Sequence, residues 1–414
     1  MVRLSIRLLI FSTFTFLFLT SCQLGGQPLP TLAAVAIVPT LPKGLPATFT
    51  PLPPTAVALA ATPIPVNGTL PPTATPAFIP TITPYTPRPS PTRTPTATSE
   101  VTPTATPVIK AIHLYGINEV IPYQAFPTPR ANNGWGVHWV PTVSQDAGVV
   151  DRFVGEVARM HMKWVVFLND GDNTTDNNYL VDKLLANGIM PVMRIYRSDT
   201  SPYDGDIGGM VAHYRAKGVY YYQIYNEPNV NVENGQGFAN PNQYATYWAA
   251  AARQVAANGG LPGIGAFSPG GEYNHNEFLD RTLRALEFNG DAYLLNHAWL
   301  SVHNYHGTRP NNDPGGFLLF RRYNEIVESH LGRSLPMIGT EGGSYSSDRN
   351  TEKNLLVFQY TYMRDAEPYF LAFSSWLLAN SEGGARDPAW EWQALFQPGF
   401  VHPVVTDFFY TTSR

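Results

Sequence analysis

Two glutamates in this 414-residue chain stand where apolar, β-prone runs stop. The run VYYYQIYNE (219–227) ends at Glu227, with Asn226 before it and Pro228 after it. Pro228 cannot continue a central strand, so the carboxyl is presented where the strand must end. The run PMIGTEG (336–342) carries Glu341 near its end, followed by Gly342 and Gly343. Two carboxyls at two strand ends can divide labour: one delivers a proton to a leaving oxygen, while the other stays charged and stabilises or attacks the carbon left behind. A turn glutamate does none of this, so the elements holding each residue decide its role.

Those elements repeat. Apolar runs predict eight strands, at 134–140, 163–169, 188–196, 219–227, 262–269, 299–307, 336–342 and 369–379. Between them lie seven segments of helical spacing; in VVDRFVGEVARM, Val150, Phe153, Val154, Val157 and Met160 mark one face. Several end in glycine, as a left-handed C-cap requires. A strand followed by a helix, eight times in about 300 residues, predicts a closed (β/α)₈ TIM barrel over 111–414. No G-x-G-x-x-G turn follows the first strand, which disfavours a dinucleotide-binding sheet. The segment IHLYGINEVIP (112–122) reads as a lid strand under the barrel or an extra edge element.

Barrel chemistry belongs at the C-terminal ends of the strands. Side chains alternate along a strand, so Gln223, Tyr225 and Glu227 should share the inward face, as should Gly339 and Glu341. Gly342 and Gly343 should permit close approach of a bulky substrate. In SVHNYHG, His303 and Tyr305 share a face. An ionised Glu341 would raise the pKa of Glu227 by like-charge repulsion, and burial would add to it. Acid and nucleophile would then be told apart by their surroundings, and retention requires them about 5–5.5 Å apart.

Asn226, Glu227 and Pro228 on a fourth strand, with Glu341 on a seventh, resemble glycoside hydrolase clan A, whose members include families 5, 39 and 53. The wording YYYQIYNEPN is most similar to family 39 and neighbouring groups, and the resemblance covers roughly 111–414. It implies a retaining glycosidase acting on a β-linked poly- or oligosaccharide, with Glu227 as acid/base and Glu341 as nucleophile. It further implies that Asn226 donates to the sugar 2-hydroxyl, that Tyr305 in the clan's His-x-Tyr holds the nucleophile, and that Trp376 floors the reacting sugar. The arginine that many members carry near the end of the second strand is missing from KWVVFLND. Arg194, on the third strand, could replace its charge beside Glu341 or pair with a structural acid. His138 and Trp139 at the first strand's end, and Asn169 and Asp170 at the second's, are further candidate sugar contacts. His303 and His306 lie close in sequence but follow no metal-binding motif; neither metal nor cofactor is expected. The competing reading is a non-catalytic glycan-binding lipoprotein on the same barrel.

The N-terminal third is of another kind. Arg3 and Arg7, the apolar run LLIFSTFTFLFL and small residues before Cys22 describe a secretory signal over 1–21. LTSC resembles the lipobox of bacterial lipoproteins, and Cys22 is the chain's single cysteine, so lipidation there is expected and an intramolecular disulfide is impossible. From Pro28 to Lys110 the chain holds 21 of its 38 prolines, with threonine and alanine filling much of the rest. Such a segment buries too little to offset its ordering entropy, so 22–110 reads as a disordered tether, able to reach on the order of 200 Å if extended as polyproline II. A net charge of −4, with no basic patch, argues against nucleic acid. The expectation is a monomeric lipoprotein on a bacterial cell surface, anchored to the membrane through Cys22.

Overall fold

The computed structural model describes residues 115–412, apart from Thr308, Tyr345 and Ser347, and these fall within one unit of the chain. The signal segment, Cys22 and the proline-rich tether lie outside the described residues. Among the described residues, no helix is long and apolar enough to cross a membrane.

Eight parallel strands pair in chain order and close: β1 (Trp135–His138), β2 (Trp164–Asp170), β3 (Met190–Tyr196), β4 (Tyr221–Ile224), β5 (Leu261–Phe267), β6 (Trp299–Gly307), β7 (Met337–Ser344) and β8 (Phe370–Ser375), with β8 pairing back to β1. Each predicted strand is present. So are the seven helices: α1 (Ala147–Arg159), α2 (Asn178–Ala186), α3 (Ile207–Lys217), α4 (Pro241–Ala257), α5 (His275–Phe288), α6 (Leu319–Leu331) and α7 (Arg349–Tyr362). Several begin at a side chain that accepts from the first free amides, as Asp146 does from Gly148 and Val149, and as Asn274 does from Asn276 and Glu277. Gly218 and Gly332 end α3 and α6 at φ of +120° and +64°, where other residues would be strained. After β8 the described chain forms short helical turns instead of an eighth α-helix, and Phe408 and Phe409 close the wall by packing on Trp135.

Alternation along the strands sorts the core into two layers. Val165, Phe167, Met193, Ile195, Tyr222 and Ile224 face the helices. Trp164, Val166, Val192, Tyr221, Leu261 and Trp299 fill the barrel interior near the strand starts. Trp299 fits there because Gly263 lacks a Cβ, which would stand 2.5 Å from its ring. Ile121, Ala125 and Phe126 join this inner cluster and plug the bottom. Residues 115–122 of that segment therefore lie under the barrel and form no strand.

Candidate active site

Both glutamates reach the interior as expected, but neither strand carries an unbroken alternation up to its glutamate. Strand β4 stops at Ile224, three residues before the run ends. Tyr221 and Gln223 face inward, so Tyr225 should follow; instead Tyr225 adopts φ +63° and packs outward on Tyr203 (5.0 Å) and Tyr244 (6.1 Å), its hydroxyl donating to the Ser201 carbonyl. Glu227 itself takes φ +39°. Such angles cost about 1–3 kcal/mol each in a non-glycine residue and persist only where the surroundings enforce them. Part of that enforcement is visible: the Glu227 N–H donates to the Ala266 carbonyl at 2.9 Å, which a register shift in β5 between Gly265 and Phe267 makes available.

Strand β7 uses a different device. Val302 of β6 pairs with Gly339, but His303 pairs with Glu341, so Thr340 is an extra residue. Thr340 points inward to the Ser301 hydroxyl (2.7 Å), and the bulge turns Glu341 inward as well. Gly339 is therefore not beneath Glu341 on one face; its missing Cβ makes room for Phe373 of the outer layer and for Asn304. Gly342 likewise yields space to the Phe373 ring, which a Cβ would approach to 2.5 Å, and the expected role in admitting substrate is replaced by this packing.

Each carboxylate is 1% exposed, and an oxygen of one lies within 4.8 Å of an oxygen of the other. Their partners differ. Glu341 Oε1 accepts from Arg194 Nη1 at 2.9 Å, and its Oε2 accepts from the Tyr305 hydroxyl at 2.8 Å. Glu227 Oε1 meets His303 Nδ1 at 3.0 Å, while His303 Nε2 stands 3.7 Å from Glu341 Oε1. Burial pushes the Glu341 carboxyl up; His303, Arg194 and the Tyr305 bond oppose that rise, and the Glu227 charge adds to it. The guanidinium absent from the second strand thus arrives from β3, where Arg194 pairs beside Leu168 of β2.

Trp376 lies against His138, ring centroids 4.3 Å apart, and edge-on to Trp390 at 5.6 Å. The peptide bond Trp376–Leu377 is cis. His138 Nδ1 donates to the Trp139 carbonyl (3.1 Å), which leaves Nε2 as a buried acceptor without a hydrogen-bond partner among the described residues. Trp376 Nε1 and Asn226 Oδ1 are also buried and without hydrogen-bond partners among the described residues. Three such atoms around one carboxylate pair form a polar lining suited to hydroxyl groups. Burial lowers the His138 imidazole to about 3 and the His303 imidazole to about 4. Their ring C–H resonances are accordingly expected to stay fixed between pH 5.5 and 8; a midpoint near 6.5 for either would contradict the dry surroundings described.

Two candidate contacts prove structural. Trp139 packs edge-on to Phe153 and donates to Gln145, on the helix side of the wall. Asn169 also faces outward, binding the carbonyls of Gly171 and Asn173 and accepting from Asn177. Asp170 lines a 390 Å³ cavity with Tyr196, Arg197 and Tyr203 at the ends of β2 and β3. A larger cavity of 680 Å³ lies on the outer surface between α4 and α5, away from the carboxylates, so cavity size does not locate this site. The sequence reading missed Glu233, a third buried carboxyl beside Asn226, and Trp390, since neither lies in a strand run.

Glu227, His303 and Glu341 could together approach a cation, each offering one donor atom within 4.8 Å of the others. Arg194 already supplies the positive charge at Glu341 Oε1. His306 is not part of the group; its Nε2 meets the Arg309 carbonyl.

No protein-family model and no curated protein matches the chain. Among solved structures it is similar to a GH128 (subgroup II) endo-β-1,3-glucanase from Pseudomonas viridiflava, at 14% identity and a TM-score of 0.46, over 68% of this chain and 98% of that one. It is similar to an endo-β-1,4-glucanase from Xanthomonas axonopodis pv. citri at 11% and 0.44, over 67% and 99%. The catalytic domain of a mannanase from Streptomyces sp. SirexAA-E aligns at 16% and 0.39, over 65% and 83%.

Proposed function

We propose that the barrel is a retaining glycoside hydrolase that cleaves a β-linked poly- or oligosaccharide by double displacement. One observation carries this reading: two buried glutamates at the ends of β4 and β7, with carboxylate oxygens within 4.8 Å and unlike partners. That spacing suits direct attack, whereas inversion needs about 6.5–9.5 Å to admit a water.

The partners assign the roles. Glu341, gripped by Arg194 and Tyr305, is the carboxylate whose charge is supported, and it attacks the anomeric carbon. Glu227 gives its proton to the departing oxygen as the bond from that oxygen to the anomeric carbon breaks. With Oε1 engaged by His303, the transferred proton sits on Oε2. Once Glu341 becomes an ester its charge is gone, and the Arg194 charge it had balanced favours ionised Glu227. Glu227 then takes a proton from water, the oxygen bonds to the anomeric carbon, and Glu341 leaves as carboxylate. Trp376, His138 and Asn226 would meet the sugar face and hydroxyls.

A panel of aryl β-glycosides and β-glucan, mannan, xylan and galactan polysaccharides tests the reading, with proton NMR of the first-formed product. Release of the β-anomer is expected. First release of the α-anomer would exclude double displacement, and glycan binding without any hydrolysis would favour the binding module.

The setting proposed for this activity is the outer face of a bacterial membrane, with Cys22 lipidated and the proline-rich segment as tether. Cys22→Ser is expected to move the protein from the membrane fraction to the soluble one with specific activity unchanged. Continued sedimentation with membranes would remove the anchor from the proposal.

A further inference from the structure

The cavity at the ends of β2 and β3 has no part in the chemistry proposed above. It measures 390 Å³, and Asp170, Tyr196, Arg197 and Tyr203 are among its walls. Its place follows from the strand register. Leu168 pairs with Arg194 and, two residues on, Asp170 pairs with Tyr196, with no shift between them. Trp164, Val166 and Val192 of the same strands fill the barrel interior, so alternation keeps Asp170 and Tyr196 on the face that carries Arg194. They stand one inward-facing step, about 7 Å of strand, beyond the arginine that holds Glu341.

Two polar groups line this cavity without partners. Tyr196 is 9% exposed, and its hydroxyl makes no hydrogen bond among the described residues. The exposed Asp170 carboxylate likewise has no hydrogen-bond or salt-bridge partner among them. Burial raises the Tyr196 phenol, Arg194 opposes that rise, and Glu233 and Asp170 add to it, so the hydroxyl keeps its proton and can donate. The Arg197 guanidinium is already engaged, donating to Asp204 (3.1 Å) and to Ser201 Oγ (2.8 Å). What remains is a free carboxylate and a free hydroxyl beside aromatic surface, a lining that repels anions and suits a neutral ring bearing hydroxyls. The volume lies within the range of about 300–1,000 Å³ typical of small-ligand pockets. We propose that this cavity is a second sugar subsite: Asp170 accepts from hydroxyls of a unit adjoining the one held by the two glutamates, and Tyr196 bonds a further oxygen of that unit. The substrate is therefore a neutral chain and not a single glycoside. The ligand class rests on the glycosidase reading; the cavity and its unpaired groups do not.

The test uses the full chain with laminaritetraose, cellotetraose, mannotetraose, xylotetraose and galactotetraose, each compared with the dinitrophenyl β-glycoside of the same sugar, which offers one unit only. For the tetrasaccharide cleaved best, the ratio of its kcat/KM to that of the monoglycoside is expected to fall at least about tenfold in Asp170→Ala and at least about threefold in Tyr196→Phe. General damage to the site lowers both constants and leaves their ratio where it was. A ratio within about twofold of wild type in Asp170→Ala therefore overturns the proposal. Binding is read separately by calorimetry in the Glu341→Gln background, where adding Asp170→Ala is expected to weaken the tetrasaccharide at least about tenfold. Equal affinity refutes the subsite, as does the absence of binding by every tetrasaccharide. Affinity that needs added calcium and vanishes with a chelator assigns the carboxylate to a cation and refutes it too. If wild type cleaves nothing in the panel, the glycosidase reading is what fails, and the calorimetric comparison still decides whether the cavity holds a sugar.

Discussion

Glu341→Gly is expected to lower kcat by at least about four orders of magnitude, and added azide to restore turnover with release of the α-glycosyl azide. The size follows from the role: without a carboxylate at the anomeric carbon there is neither a covalent intermediate nor a charge facing the oxocarbenium-like centre. The product follows from the cavity, since a small anion can occupy the space that the side chain vacates and attack from the same face. Arg194 then loses its partner while 2% exposed, and breaking such a buried pair costs about 3–5 kcal/mol. A melting curve must therefore accompany the assay, with Glu341→Gln as the better-folded control. Full activity in either folded variant would end the nucleophile assignment. The same α-azide from Glu227→Gly would exchange the two roles.

Glu227→Gln should cost about 10²–10⁴-fold in kcat/KM on substrates with poor leaving groups, and much less on dinitrophenyl glycosides, whose departure needs no proton. Its pH profile is the sharper readout. Activity requires Glu341 ionised, so it falls as pH drops through the apparent pKa of that group, which burial holds above the ordinary glutamate value. Activity also requires a protonated acid, so it falls as pH rises through the second apparent pKa of the pair. Glutamine cannot titrate. The variant is expected to keep the acidic limb and lose the basic one, and a bell that survives intact would place the acid elsewhere.

Much of the barrel was legible because its signals are local. Eight apolar runs and seven helical segments need only neighbouring residues to show their period, and each corresponds to an observed element. The end of the chain was less so, since after β8 short turns carrying Phe408 and Phe409 do the packing that a helix would otherwise do. The candidate site was legible where side chains stand at strand ends and face the axis: Arg194, Asn226, His303, Tyr305 and Trp376 all gather around the two glutamates or their partners. Trp139 and Asn169 misled because an aromatic or an amide near a strand end reads alike whether it faces the axis or a helix. Glu233 gave no signal at all. It lies in a loop with no period, and its importance comes from Asn226 and Glu227, which the turn brings against it.

The sequence by itself determined which residue types are available and how many βα units carry them: two glutamates at the ends of the fourth and seventh strands, with an asparagine, a histidine and a tyrosine nearby. Tertiary structure decided which way they point. A period of two is a property of an unbroken strand, and both strands that lead to these glutamates are broken near them, β4 by positive φ at Tyr225 and Glu227, β7 by the extra residue Thr340. Those breaks are held in place by neighbours distant in the chain, among them the Ala266 carbonyl, Tyr203, Tyr244 and Ser301. An orientation enforced by such neighbours is written in no local stretch of residues, and so it appears only when the barrel has closed.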